Sequence, residues 1–206
     1  MLTVHHLSTS LSHVVVWLME ELGLPYDLVL HQRDARGGSP DSLRAIHPMG
    51  RSPTIEDHGL AMIESTGVIL YILEAYGEGR LRPAPGTADA MRFYQWLTFV
   101  EGSAKPPLVE LFRSLHFAAN DVLALERMET AAEKPMHEIE AALEGQDTIV
   151  PGQFTAADIP LVFYEEVIAR RWDMSRWPNM RAHLERMRER PAYRRAVARG
   201  GPTMMA

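Results

Sequence analysis

An α/β unit followed by an all-helical one is the fold class this 206-residue sequence predicts, and three features predict it. Up to Tyr76 the chain alternates short apolar strand patterns with helical ones, in the order strand–helix–strand, short helix, strand–strand–helix. A Gly/Pro-rich stretch, "GEGRLRPAPG", then interrupts the pattern. From Thr87 onward the hydrophobic period is that of helices and no strand pattern returns. The expected organisation is an α/β domain over 1–77, a linker over 78–87 and a helical bundle over 88–206. Two domains of roughly a hundred residues can each bury a workable core.

The elements follow from local chemistry. Leu2 to Leu7 is a short buried strand, and "STSLS" supplies turn and cap residues, with Ser12 the natural N-cap of a helix from His13 to Leu22. Gly23 ends that helix, and Tyr26 to Leu30 alternates into a second strand. A short helix from Pro40 or Asp41 stops at Ile46, since the residue before Pro48 leaves the α region. Thr54 to Glu56 and Leu60 to Ile63 flank a turn at Asp57-His58-Gly59, and a helix runs from Ser65 to Tyr76. A strand–helix–strand unit joined to a hairpin and a closing helix makes a four-stranded mixed sheet with helices on its faces.

In the second half, helical periodicity covers 88–118, 121–143, 155–170, 178–189 and 191–198, with Pro178 and Pro191 at helix starts. Thr155 and Asp158 in "FTAADIPL" have the spacing of a capping box: the Thr hydroxyl serves an N–H three residues on while the Asp reaches back to the Thr155 N–H.

Composition excludes several functions. The chain has no cysteine, so disulfides, thiolate metal sites and Cys nucleophiles are out, and any thiol chemistry must use a ligand's thiol. Net charge is −6, which gives no general attraction for nucleic acid or anionic membrane. Seven arginines between Arg181 and Arg199 lie at helical spacing and are expected to form a solvated helix face. The N-terminus lacks a basic start and a long apolar run, and Val14 to Met19 is far short of a membrane span, so a cytoplasmic protein is expected. His5 and His6 are adjacent in a strand and point to opposite faces, so they cannot share a metal ion, and no metal site is expected.

The segments "HPMGRSPTIED", "IESTGVILYIL", "FTAADIPL" and "RPAYRRA", in this order and spacing, resemble the glutathione transferase family across nearly the whole chain. The resemblance implies a thioredoxin-like first domain, a helical second domain, a homodimer, and glutathione as co-substrate. It implies a cis bond before Pro53, which would let the main chain of Ser52 pair with an extended peptide like an added strand. It places the γ-glutamyl carboxylate of glutathione on Ser65 at a helix N-terminus, the α-ammonium on Glu64 and the glycyl carboxylate on Arg51. Read alone, Ser65 is a plain N-cap and Glu64 a solvated charge.

The family's sulfur-contacting group lies just after the first strand. That strand, "LTVHHL", holds no Tyr or Cys, which leaves Ser8, Thr9, Ser10 and Ser12. Counting back from "EELGLPY" points to Thr9, whereas the bacterial members carry a Ser at the position of Ser10; both remain candidates, with Ser8 as a further ligand contact and Ser12 as the cap. Leu11 departs from the pattern, since an Arg is common there. His6 is either a packed strand histidine or a neighbour of the sulfur. The second substrate, a small electrophile, is expected against the first long helix of the second half, where Leu108, Leu111, Phe112 and Leu115 mix with Glu101 and Ser103.

Overall fold

The computed structural model describes residues 1–117 and 121–203, with the side chains of residues 116 and 117 outside the description. It has the expected mixed sheet. Strand β1 (Thr3–Leu7) is central, parallel to β2 (Asp27–His31) and antiparallel to β3 (Thr54–Asp57), which pairs antiparallel with β4 (Leu60–Ile63), giving the order β2-β1-β3-β4. Val4 faces Ile55 and Ile55 faces Met62 across the ladder. The β3–β4 turn carries His58 at φ 48° and Gly59 at φ 77°, the paired positive values of the two-residue turn that matches strand twist.

Helix α1 (His13–Leu22) is buried nearly all round, with Val14 through Met19 each at most 1% exposed, and stops at Gly23 in the left-handed region (φ 62°). Helices α2 (Asp41–Arg44) and α3 (Ser65–Tyr76) complete the sheet unit in sequence order. By contacts, however, this compact unit is Met1–Ala84 together with Glu185–Ala206. The boundary expected from sequence order leaves the last helix, α9 (Pro191–Gly200), with the second half; packing places it against α1.

The reason is partly apolar and partly ionic. Tyr193 meets Trp17 edge-on with ring centroids 5.1 Å apart. Arg190 grips Glu21 with two bonds of 2.6 and 2.9 Å, while Arg195 and Arg199 bind Glu20 at 2.9 and 2.8 Å. The arginine crowd is therefore not simply a solvated face. Burial pushes the Glu20 carboxyl up, but Arg195, the Tyr26 hydroxyl and Arg199 outweigh it and hold the group below its usual range.

The second unit, Pro85–Leu184, is helical, and among the described residues it holds no strand. Its helices are α4 (Ala88–Phe99), α5 (Lys105–Phe117), α6 (Val122–Ala142), α7 (Asp158–Ala169) and most of α8 (Pro178–Arg188). The single helix expected over 88–118 is interrupted by a π-helical turn, Val100–Ala104, and its expected end at 118 lies outside the described residues. Pro106 and Pro107 have no N–H to return to the preceding turn, and a local change of winding removes that demand.

Asp158 accepts the Thr155 N–H at 2.8 Å as the capping box requires. The Thr155 hydroxyl accepts from Ala157, two residues on rather than three, at 3.3 Å. Asp158 does more than cap: it also accepts the Ile149 N–H at 2.8 Å and faces His183 at 3.2 Å. His183 lies on α8 and is bonded to Glu165 of α7 at 2.8 Å, and all three side chains are fully buried.

Candidate functional site

The sheet unit brings two hydroxyl-bearing segments together at the carboxyl end of β1. The chain leaves β1 at Leu7, turns through Ser8, Thr9 and Ser10, and enters α1. The second segment is Arg51-Ser52, just ahead of β3, where the Ser52–Pro53 peptide is cis. Across the gap the Ser10 and Ser52 hydroxyl oxygens lie 2.9 Å apart. Ser8, Thr9, Ser10 and Ser52 are half-buried, Pro53 is buried and Arg51 is exposed.

Ser10 is the best-connected hydroxyl of the turn. Its oxygen lies 2.8 Å from the Leu7 carbonyl and 2.9 Å from the Ser12 hydroxyl, and it accepts the Ser12 N–H at 3.3 Å. Thr9 is held differently. It sits at φ 49°, a conformation uncommon for a branched residue, and its hydroxyl donates at 2.8 Å to the carbonyl of its own neighbour Ser8. Arg33, an exposed residue that the sequence does not single out, donates to the Thr9 carbonyl at 3.1 Å. Of the two candidate hydroxyls, the structure joins Ser10 to Ser52 and turns Thr9 onto its own main chain.

Ser12 stands at the expected cap position but does not cap. The helical turn already begins upstream, with His13 bonded to the Ser10 carbonyl at 3.2 Å and Val14 to that of Leu11 at 3.1 Å. The Ser12 hydroxyl turns inward instead, accepting the Leu7 N–H at 3.1 Å and lying 2.7 Å from His6 Nδ1. The N–H groups a cap would serve, those of Val14 and Val15, are taken up by the Leu11 and Ser12 carbonyls at 3.1 Å.

His6 is a packed strand histidine. It is 1% exposed, and its Nε2–H donates to the Gly200 carbonyl at the end of α9 at 2.9 Å. Burial holds its pKa below the usual value, against a smaller upward pull from that carbonyl. Its neighbour on the sheet, His5, is bonded to Glu56 at 2.7 Å and to His31 at 3.0 Å. His13 is also buried, and burial together with nearby His6 drives its pKa down to about 3.

At the β4–α3 junction, Glu64 is exposed at φ 78°, and Ser65 is buried as the first residue of α3. The Glu64 carboxylate makes no cap bond to the helix, and its own carbonyl accepts the Val68 N–H at 2.8 Å. A left-handed glutamate is costly and persists where its surroundings fix it, a pattern concentrated at binding sites. The first N–H groups of α3 and the positive end of its dipole lie at Ser65, as an anion site requires.

A helix-flanked mixed sheet with hydroxyls at the end of its first strand and a cis-proline loop beside them defines the thioredoxin-like class of glutathione-transferase domains. The model of the glutathione S-transferase N-terminal domain matches residues 5–80. The crystal structure of a glutathione S-transferase from Actinobacillus pleuropneumoniae superposes with a TM-score of 0.90 at 30% identity, covering 99% of this chain and 94% of that one. Glutathione S-transferase 3 of Schizosaccharomyces pombe is 31% identical over 106 residues, and the match spans only 43% of its length. The disulfide-bond oxidoreductase YfcG of Escherichia coli is 27% identical over 208 residues, covering 96% of this chain and 94% of that protein. The chain belongs to the glutathione S-transferase family.

Proposed function

We propose that the protein is an enzyme that binds glutathione, stabilises its thiolate and transfers it to a small electrophile. The observation that carries this reading is the Ser10 hydroxyl, half-buried at the end of β1 and 2.9 Å from Ser52 in the cis-proline loop. A model thiol has a pKa of about 8.5. A hydrogen bond to a charged group is worth about 1.5–3 kcal/mol, so one donor lowers that value by about one to two units. The N-terminus of α1, next to the turn, favours the anion further. In this reading Ser10 is the donor, and Thr9 shapes the turn beside Ser8.

The remaining residues hold the peptide. The Ser52 N–H and C=O, ahead of Pro53, pair with the ligand's main chain. Ser65 and the α3 N-terminus take the γ-glutamyl carboxylate, Glu64 the α-ammonium, and Arg51 the glycyl carboxylate. With no cysteine in the chain, the reacting sulfur is the ligand's. Family membership also supports a homodimer. Among the described residues no helix is long and apolar enough to cross a membrane, which agrees with action in the cytoplasm.

A second reading keeps the same ligand but makes the reaction redox, the reduction of a disulfide or peroxide. It is favoured by the likeness to the Escherichia coli oxidoreductase along 96% of this chain. Calorimetric titration with glutathione, followed by assays against a chloronitrobenzene, an organic hydroperoxide and a small disulfide, tests both. Turnover of the aromatic substrate supports the transferase, disulfide turnover alone supports the second reading, and absence of glutathione binding ends both.

A further inference from the structure

The proposed reading uses Ser52 through its main chain and gives its side chain no task. Proton placement along the hydroxyl network assigns it one. The Gly200 carbonyl, 2.9 Å from His6 Nε2, has no proton to give, so Nε2 carries the ring's proton. The ring is buried and neutral, so Nδ1 is bare and accepts from the Ser12 hydroxyl at 2.7 Å. Ser12's single proton is thereby committed. Across the 2.9 Å separation, Ser10 can therefore only donate to Ser12.

Ser10 thus has two inward acceptors for its one proton, the Ser12 oxygen at 2.9 Å and the Leu7 carbonyl at 2.8 Å. With Ser10 donating inward, the 2.9 Å contact with Ser52 has Ser52 as donor. The direction of the network is fixed from the outside in: Ser52 to Ser10, Ser10 to Ser12 or Leu7, Ser12 to His6, and His6 to Gly200. Ser52 is its half-exposed outer end.

We propose that the Ser52 hydroxyl is a second catalytic donor, sharing the ligand's thiolate with Ser10. Redirecting the Ser52 proton to a sulfur anion gives up one neutral bond to another hydroxyl and replaces it with a charge-assisted one of about twice the strength. Redirecting the Ser10 proton breaks a bond into the interior. Once Ser52 has turned, Ser10 keeps the Ser12 N–H on its oxygen and can add its own proton to the sulfur. His6 is not a proton sink for the thiol, because burial lowers its basicity further below that of a thiolate. Its part is to hold the network's direction.

The inference rests on the glutathione reading of the site, and one experiment separates the two. The thiol of bound glutathione is titrated by its thiolate absorbance in the wild type, Ser52→Ala, Ser52→Thr and Ser10→Ala, with kcat and KM measured alongside. Ser52→Ala is expected to raise the bound-thiol pKa by about one unit and to lower kcat several-fold at neutral pH. Its KM for glutathione stays within about twofold because the main chain is intact, and Ser52→Thr, which keeps a hydroxyl, restores the pKa. A wild-type thiol pKa in Ser52→Ala, with Ser10→Ala shifted, overturns this inference and leaves the site reading standing. Failure of the wild type to bind glutathione overturns both.

Discussion

Two buried histidines, one in each compact unit, show how partners rather than burial decide a charge. His6 is 1% exposed and His183 is 0% exposed. Desolvation pushes both towards the neutral form. Around His6 stand a serine hydroxyl at 2.7 Å and a carbonyl at 2.9 Å, neutral dipoles that do not offset the loss of water, and the ring stays uncharged. Around His183 stand Glu165 at 2.8 Å and Asp158 at 3.2 Å. Those carboxylates reverse the balance and push the pKa up to about 10. The first arrangement leaves a chain of orientable hydroxyls that ends at a half-exposed surface. The second locks α7 to α8 with a buried cation and can do little else.

Breaking the charged network therefore has the largest effect. His183→Leu leaves two buried carboxylates without their cation and is expected to cost about 3–5 kcal/mol. His6→Leu takes only a neutral donor from the Gly200 carbonyl and a neutral acceptor from the Ser12 hydroxyl, a loss of about 1–3 kcal/mol. Denaturant unfolding of both variants measures the pair. Equal costs would show that the His183 cluster is not ionised, and the comparison would fail.

Solution pH sharpens the same contrast, because the two histidines act in opposite windows. The folded pKa of His183 lies above its unfolded value of about 6.5. Its contribution is full below about 6.5 and disappears as pH rises through about 10. His6 and His13 have folded values below 6.5, so the unfolded chain binds the extra protons. The stability tied to their neutral forms is fully present above about 6.5 and is lost as pH falls towards about 3, the folded value of His13. The groups facing these rings act in the same sense: His13 is beside His6, and His31 lowers His6 through space. Segment-resolved hydrogen exchange should find α1 loosening in acid and α7–α8 loosening in alkali.

The neutral network carries the next effect, on chemistry rather than stability. Ser10→Ala should raise the pKa of bound glutathione by about one to two units and lower kcat at neutral pH accordingly. Thr9→Ala, whose hydroxyl is turned onto the Ser8 carbonyl at 2.8 Å, should change the thiol pKa far less. Titration of the bound thiol in the two variants decides between them, and a larger shift in Thr9→Ala would reverse their roles.

What could be read from sequence follows the range of the forces involved. Gly23, the His58-Gly59 turn and the start of α3 at Ser65 obey rules that act within four residues, and the structure agrees with them. The Ser12 cap failed because a local rule met a longer contact: His6 and the Leu7 N–H claim the hydroxyl. The return of α9 to α1 depends on ion pairs separated by up to 179 residues, such as Arg199 with Glu20. No period or cap announces that. For the same reason Ser52 offered its main chain but not its hydroxyl, since the partner Ser10 lies 42 positions away. Among the charged groups, Asp158 was legible as a cap three residues from Thr155, but His183, 25 residues on, was not.

That overlap of a local motif with a distant one gives the smallest and most discriminating test. Thr155→Ala removes the acceptor for the Ala157 N–H and a weak 3.2 Å bond to Asp158. It leaves Asp158 with the Thr155 N–H, the Ile149 N–H and His183. If the hydroxyl acts only as a cap, the cost is about 1 kcal/mol, seen as a lower denaturant midpoint with an unchanged slope. If the box and the buried charges form one cooperative unit, the cost approaches that of His183→Leu, and the double variant is no worse than either single one. The geometry favours the smaller value, because the substitution removes only the weak hydroxyl bond to Asp158 and leaves its charge held by two main-chain N–H groups at 2.8 Å and by His183.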